Sequence, residues 1–202
     1  EGTENERLAH YGLGWVYHKQ GIYHWAARSF GRAITGEDET SRKALYYKAV
    51  NEKLSGRYDL ALGSFQEFGR RFQDGFWIEE AYYEWAIVSF EIGDYVAALE
   101  TLLDLVRSET RLQNPGQVFT LLGEAYFANN EFARAIEAFE YAEQITDLDP
   151  AIKRQAQFQR GWVLFQNQAF QTAQPIFENV YNDDPRGRLA GEALFWSADA
   201  WY

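Results

Sequence analysis

The sequence predicts an all-α stack of antiparallel helix pairs, on three observations. A pattern of small side chains recurs about every 37 residues, further small and large positions keep fixed offsets from it, and strand signals are missing. The recurring small residues are Gly14, Ala49, Ala86, Gly123, Gly161 and Ala198, at intervals of 35, 37, 37, 38 and 37. Twelve residues after each of the first five stands an alanine: Ala26, Ala61, Ala98, Ala135 and Ala173. Four further on stands a large apolar residue: Phe30, Phe65, Leu102, Phe139 or Phe177.

Each column has a mechanical reason. The two small positions lie where antiparallel helices cross, and absence of bulk lets the backbones approach. The large residue is one turn beyond the alanine on the same face and fills the space beside the contact. Between the small columns lies a turn followed by an aromatic: Gly21-x-Tyr23, Gly56-x-Tyr58, Gly93-x-Tyr95, Asn130-x-Phe132 and Gln168-x-Phe170. Gly or Asn ends the first helix because it tolerates left-handed backbone. Gln168 suits that role less well, and its neighbour Asn167 is the alternative.

The first helix of each pair (helix A) is expected at 4–19, 41–54, 77–91, 115–128, 152–166 and 188–202. The second (helix B) is expected at 22–35, 58–72, 95–108, 132–146 and 170–182. No Asn-Gly occurs, Asp74-Gly75 is not flanked by alternating strand-like segments, and no stretch sustains an apolar–polar alternation. One pair cannot bury its own apolar face, so neighbouring pairs must stack into a superhelix.

Composition narrows the function classes. At 47% hydrophobic and 17% aromatic, the chain can build a large core, and only 4 prolines interrupt it. The net charge of −11 disfavours nucleic acid and anionic lipid and favours basic protein or peptide partners. Without cysteine there are no disulfides, thiolate metal sites or cysteine nucleophiles. No apolar run approaches the ~18 residues that span a bilayer. The chain begins with Glu rather than Met, which reads as a processed protein or a piece of a longer one.

These columns resemble the tetratricopeptide repeat. Its leucine-glycine-x-x-tyrosine segment is matched by Leu13-Gly14-x-x-Tyr17 and Leu122-Gly123-x-x-Tyr126. Its alanine-x-x-x-phenylalanine segment is matched by Ala26/Phe30, Ala61/Phe65, Ala135/Phe139 and Ala173/Phe177, and its closing proline by Pro185. The departures are Ala49 and Ala86 for glycine, Lys48 and Arg160 for leucine, and Leu102 for phenylalanine.

The resemblance implies a right-handed superhelical solenoid of five repeats plus one extra helix, forming a single domain over 1–202. The repeats fall at about 7–40, 42–75, 79–112, 116–149 and 154–187, with a half repeat at 188–202. The period exceeds the family's usual 34. The added segments, Phe76-Trp77-Ile78-Glu79-Glu80-Ala81-Tyr82-Tyr83 and Leu189–Ala200, resemble long-spaced repeats of bacterial cell-envelope proteins. That likeness implies a periplasmic scaffold; the cytoplasm is the alternative.

The resemblance further implies a concave face lined by the A helices, at positions three before, one after and four after the first small residue. These are Tyr11, Trp15 and His18; Tyr46, Val50 and Lys53; Tyr83, Ile87 and Phe90; Thr120, Glu124 and Phe127. Phe158, Trp162 and Phe165 follow, then Phe195, Asp199 and Tyr202. Aromatic rings grip a peptide or partner helix at little rotamer cost. Packing between A helices carries more weight for Tyr46, Tyr83, Phe90 and Phe127, whereas Trp15 and Trp162 divide evenly between binding and packing. Family members that clamp a terminal carboxylate use Lys, Asn and Arg; here those places hold Tyr11, Trp15, Val50, Glu80 and Glu84, so that ligand is not expected.

Catalytic readings find little support. His10, His18 and His24 are spaced eight and six apart, not the three or four that place metal ligands on one helix face. Glu37-Asp38-Glu39, Asp147/Asp149 and Asp183-Asp184 read as turns and helix N-caps rather than calcium loops. Gly12 and Gly14 lie within a helix and form no phosphate loop, and no Gly-x-Ser-x-Gly occurs. The expected function is therefore a non-catalytic protein-interaction scaffold that needs no cofactor or metal. A recruitment domain of a longer enzyme and a self-assembling stack are the alternatives. Leu194, Phe195, Trp196, Trp201 and Tyr202 give the last helix an apolar outer face, which predicts association between copies through residues 188–202.

Overall fold

The computed structural model describes residues 3–72, 77–108 and 112–201, and those residues form eleven α-helices and no strand. Phe76 and Tyr202, both named above, lie outside the described residues. The chain divides into two compact units, residues 1–108 and 109–202. In the first, α1 (Glu4–Lys19) pairs with α2 (Tyr23–Arg32), α3 (Glu39–Leu54) with α4 (Tyr58–Arg71), and α5 (Ile78–Glu91) with α6 (Tyr95–Arg107). In the second, α7 (Pro115–Ala128) pairs with α8 (Phe132–Glu143) and α9 (Pro150–Gln166) with α10 (Phe170–Asp183), and α11 (Ala190–Asp199) packs on α10.

The helix crossings have a common chemistry. Ala26, Ala61, Ala98, Ala135 and Ala173 have no exposed surface, and Gly14, Gly123 and Gly161 are buried opposite a phenylalanine ring. A methyl group added to Gly14 would sit 2.7 Å from Phe30, and one added to Gly123 would sit 2.6 Å from Phe139. Gly161 is slightly looser, at 3.0 Å from Phe177. These rings are themselves fully buried and cannot swing away. Ala49 and Ala86 take the glycine's place in the middle repeats and are equally buried; beside Ala86 the large residue is the smaller Leu102. Ala198, the sixth small residue, is exposed, because no helix crosses it among the described residues.

All five A-to-B turns share one hydrogen-bond pattern. At the first, the Gly21 amide donates to the His18 carbonyl at 3.0 Å and the Ile22 amide to the Tyr17 carbonyl at 2.9 Å. This capping needs a left-handed residue. Gly21, Gly56, Gly93, Asn130 and Gln168 supply it, with φ of 72°, 74°, 81°, 62° and 61°. Gln168, not Asn167, is therefore the turning residue of the fifth pair; Asn167 remains right-handed at φ −84°. The register of the turn decides the matter, overriding the intrinsic preference of Asn for this conformation.

Most helix bounds fall within two residues of expectation, and three helix ends fall three residues short. The first helix B stops at Arg32 rather than 35, because the Ser41 hydroxyl accepts the amides of Thr35 and Gly36 at 3.2 Å. The fourth stops at Glu143 rather than 146, ahead of Asp147, which is left-handed at φ 61°. The last helix covers Ala190–Asp199 rather than 188–202. The acidic clusters act partly as N-caps: Asp38 accepts the Ser41 amide at 2.8 Å and Asp149 the Ala151 amide at 2.8 Å. Asp184 instead pairs with Arg154 at 3.2 Å.

The two charged departures from the repeat pattern join helices. Lys48 on α3 lies 3.2 Å from buried Glu52, while the Ser64 hydroxyl on α4 donates to Glu52 at 2.5 Å. Arg160 on α9 reaches both Glu143 at 2.7 Å and Glu140 at 3.1 Å on α8. A leucine would have filled the same seams with apolar contact; here ion pairs supply direction as well.

Leucine at Ala98 or Ala135 must overpack the crossings and should destabilise the chain by ~1–3 kcal/mol, against less than ~0.5 kcal/mol for leucine at exposed Ala151. Urea unfolding of the three variants checks this, and equal effects at all three positions would reject the assignment of the crossings.

Candidate binding face

In each unit the A helices contact one another as well as their B partners, α3 with α5 and α7 with α9. That leaves an A-helix face on which several of the expected positions meet.

In the first unit, Trp15 is partly buried and stands edge-on to Tyr47 of α3 at 4.4 Å, with Phe30 at 5.7 Å behind it. Tyr11 flanks Trp15 at 6.4 Å, and the His18 Nδ1–H donates to Asn51 Oδ1 at 2.9 Å. Tyr46 is buried against Phe65, Phe68 and Trp77, so its ring is largely core. Tyr83 and Ile87 are partly buried on α5. Lys53 of α3 pairs with Glu84 of α5. Tyr47 is a member of the face that the position rule omitted. Its neighbour in the sequence, Tyr46, occupied the family position, yet Tyr47 bridges Trp15 and Trp77, the latter at 5.7 Å.

In the second unit, Glu124 on α7 accepts hydrogen bonds from the Gln159 and Gln155 amides of α9 at 3.2 and 3.4 Å. Burial raises its pKa above the usual carboxylate range, against the opposing pull of the two amides. Trp162 lies 4.6 Å from Trp196 and stacks on Phe165 at 6.0 Å. Phe158 is buried against Phe177, and the buried Thr120 hydroxyl donates to the Gly116 carbonyl at 2.7 Å. Both therefore serve the core. Phe195 is 60% exposed and Asp199 is exposed. Gln155 and Gln159 belong to this face but were not anticipated, because long polar side chains on a helix leave no periodic signature; Trp196, expected on the outer face of the last helix, instead packs on Trp162 and Phe165.

The column four residues past the small position has a local role. His18 lies 6.0 Å from Tyr23, Phe90 5.1 Å from Tyr95, Phe127 5.7 Å from Phe132, and Phe165 5.0 Å from Phe170. Each ring packs on the aromatic just past its own turn, which is why both columns are so often aromatic.

The three histidines do not converge, and among the described residues no three His, Asp or Glu side chains gather as metal ligands. No described helix is long and apolar enough to cross a membrane.

Comparison with known proteins bears on the same features. A family model described as tetratricopeptide repeat matches residues 83–150. Residues 83–150 carry the repeat itself, and the fold of the chain is that of tetratricopeptide repeat proteins. Among solved structures, MamA residues 41-end from Desulfovibrio magneticus RS-1 superposes with a TM-score of 0.74 at 21% identity, covering 88% of this chain and 94% of that one. A tetratricopeptide repeat protein from Parabacteroides merdae superposes with a TM-score of 0.81 at 14% identity, covering 98% of this chain and 73% of that one. At such identities the likeness is one of fold. No curated protein matches the sequence. In repeat terms, the side chains just described lie mainly on the A helices of each unit.

Burial of Glu124 has a pH signature. Its folded pKa is raised, so the protonated form is favoured on folding; stability is full below the unfolded value of about 4.3 and falls as pH rises through the folded pKa. Glu124→Gln removes the ionisable group. Its melting temperature should exceed the wild type's at pH 7, with the gap closing near pH 4 (~4 being close to the unfolded pKa). A gap that widens on acidification would contradict the burial account.

Proposed function

We propose that this chain is a non-catalytic scaffold that binds an extended peptide or a helix of a partner protein on its A-helix face. The observation that carries the reading is the state of Trp15 and Trp162. Each follows the buried glycine of a helix crossing, yet each indole remains only partly buried on the A-helix face. An aromatic ring needed solely for packing would be expected to be covered. Aromatic anchors with neighbouring acceptors are a common composition of binding surfaces. Glu80, whose Oε2 has no donor, and the net charge of −11 favour a basic partner.

The long-spaced repeats support placement outside the cytoplasm, in a bacterial envelope. Fractionation of the natural protein beside periplasmic and cytoplasmic markers is the check, and recovery with the cytoplasmic marker would reject that placement.

A second mode of association is favoured by α11. Its buried side is small, with Ala190, Ala193 and Ser197, while Leu194, Phe195 and Trp201 are 51%, 60% and 76% exposed. An apolar surface of this kind is suited to contact with another copy. Sedimentation at rising concentration should reveal self-association that Phe195→Glu abolishes; a concentration-independent monomer would remove this mode.

For peptide binding, Trp15→Ala and Trp162→Ala should each weaken a peptide selected on the wild-type chain by roughly tenfold or more, as loss of an aromatic anchor does. Circular dichroism of the variants should be unchanged. Loss of helicity in both would instead assign the two indoles to the core.

A further inference from the structure

The first unit contains a carboxylate without a counterpart. Glu80 lies in the first turn of α5, one helical turn before Glu84 and two before Ile87, on the row that faces α3. Its neighbour on that row, Glu84, is held by Lys53 of α3. Glu80 has no such partner: its Oε2 is fully buried and receives no hydrogen bond. A buried carboxylate oxygen left without a donor is unfavourable, and in native structures such an atom needs a reason.

What surrounds Glu80 is aromatic. The phenols of Tyr46 and Tyr47 both feel its charge. Trp77, at the start of α5, lies 5.0 Å from Tyr46 and 5.7 Å from Tyr47, and Trp15 closes on Tyr47 from the other side at 4.4 Å. Tyr47 and Trp77 remain partly exposed, so the cluster is reachable from solvent. Ring faces attract cations, and a carboxylate beside them adds a directed ion pair. A neutral apolar group would fit the rings but leave Glu80 unsatisfied; an anion would be repelled by it.

We infer that Glu80, with Tyr46, Tyr47 and Trp77, forms a receptor for one lysine or arginine side chain of a basic partner segment. This rests on the reading of the A-helix face as a binding surface and specifies its chemistry at one position. The incoming ammonium or guanidinium donates to the orphaned oxygen, while its alkyl stem lies along the tyrosine and tryptophan rings. Lys53 does not compete, being engaged by Glu84. In the same unit Glu84 is already held by Lys53, so Glu80 is where an external cation gains most.

The test is selection of a random peptide library on the whole chain, followed by fluorescence titration of a winning peptide and of the same peptide with its basic residue replaced by norleucine. The expected result is a motif with Lys or Arg at a constant position. Norleucine should weaken binding to the wild type at least about tenfold, and Glu80→Gln should erase the difference between the two peptides. Because the norleucine comparison leaves the protein intact, it stands even if Glu80→Gln is poorly folded. A selected motif with no constant basic residue, still weakened by Trp15→Ala, would overturn the cation receptor and leave the binding face in place. A basic residue that matters equally in Glu80→Gln would overturn the assignment to Glu80. Failure to select any peptide would overturn both readings.

Discussion

The structure depends on one repeated constraint, the approach of helix A to helix B over a residue with almost no side chain. Where that residue is glycine, a phenylalanine from helix B lies directly on the bare backbone, and a single methyl would collide with it at Gly14 or Gly123. The alanine twelve positions later completes the contact from the other helix and is fully buried in every pair. Close packing of this kind tolerates little change in volume. Alanine replaces the glycine in two pairs: Ala86 comes with the smaller Leu102, whereas Ala49 keeps Phe65, and all four are buried.

Because the crossings supply the apolar contact, other positions are released for different work. Lys48 exchanges apolar packing for an ion pair within α3 and a hydrogen bond to Ser64 of α4, and Arg160 for ion pairs to α8. The aromatic past each turn takes up the ring four residues after the small position. What we propose for a partner is a narrower set than the family positions suggest: Trp15 with Tyr47 and Trp77, and Trp162 with Trp196. Rings and buried acids have complementary uses. Rings provide area at low entropic cost, and buried acids discriminate, since an unsatisfied carboxylate penalises every occupant that cannot donate to it.

The proposed binding face was partly legible in the sequence, and the reason for the remainder is geometric. Positions counted from the small residue locate Trp15, Glu124 and Trp162, because the crossing sets the rotation of each helix A about its axis. The same count cannot foresee Tyr47, Trp196, Gln155 or Gln159, whose relevance comes from a helix in the next pair. Nor can it separate Tyr46, which is buried, from Tyr47, which is not; two adjacent tyrosines on one helix differ by about a hundred degrees of rotation, and neighbouring helices decide which is covered.

By itself the sequence determined the helix pairs, their turns and the crossings, since these follow from small residues and turn residues at regular separations within one pair. Tertiary structure decided the rest. It placed Gln168 rather than Asn167 in the left-handed position, because the hydrogen bonds of Gln168 and Ala169 back to helix A lock the turn's register. It also decided that Glu84 has a cation and Glu80 has none, because a charge is paired or left alone by what an adjoining helix presents, and no spacing along a single helix encodes that.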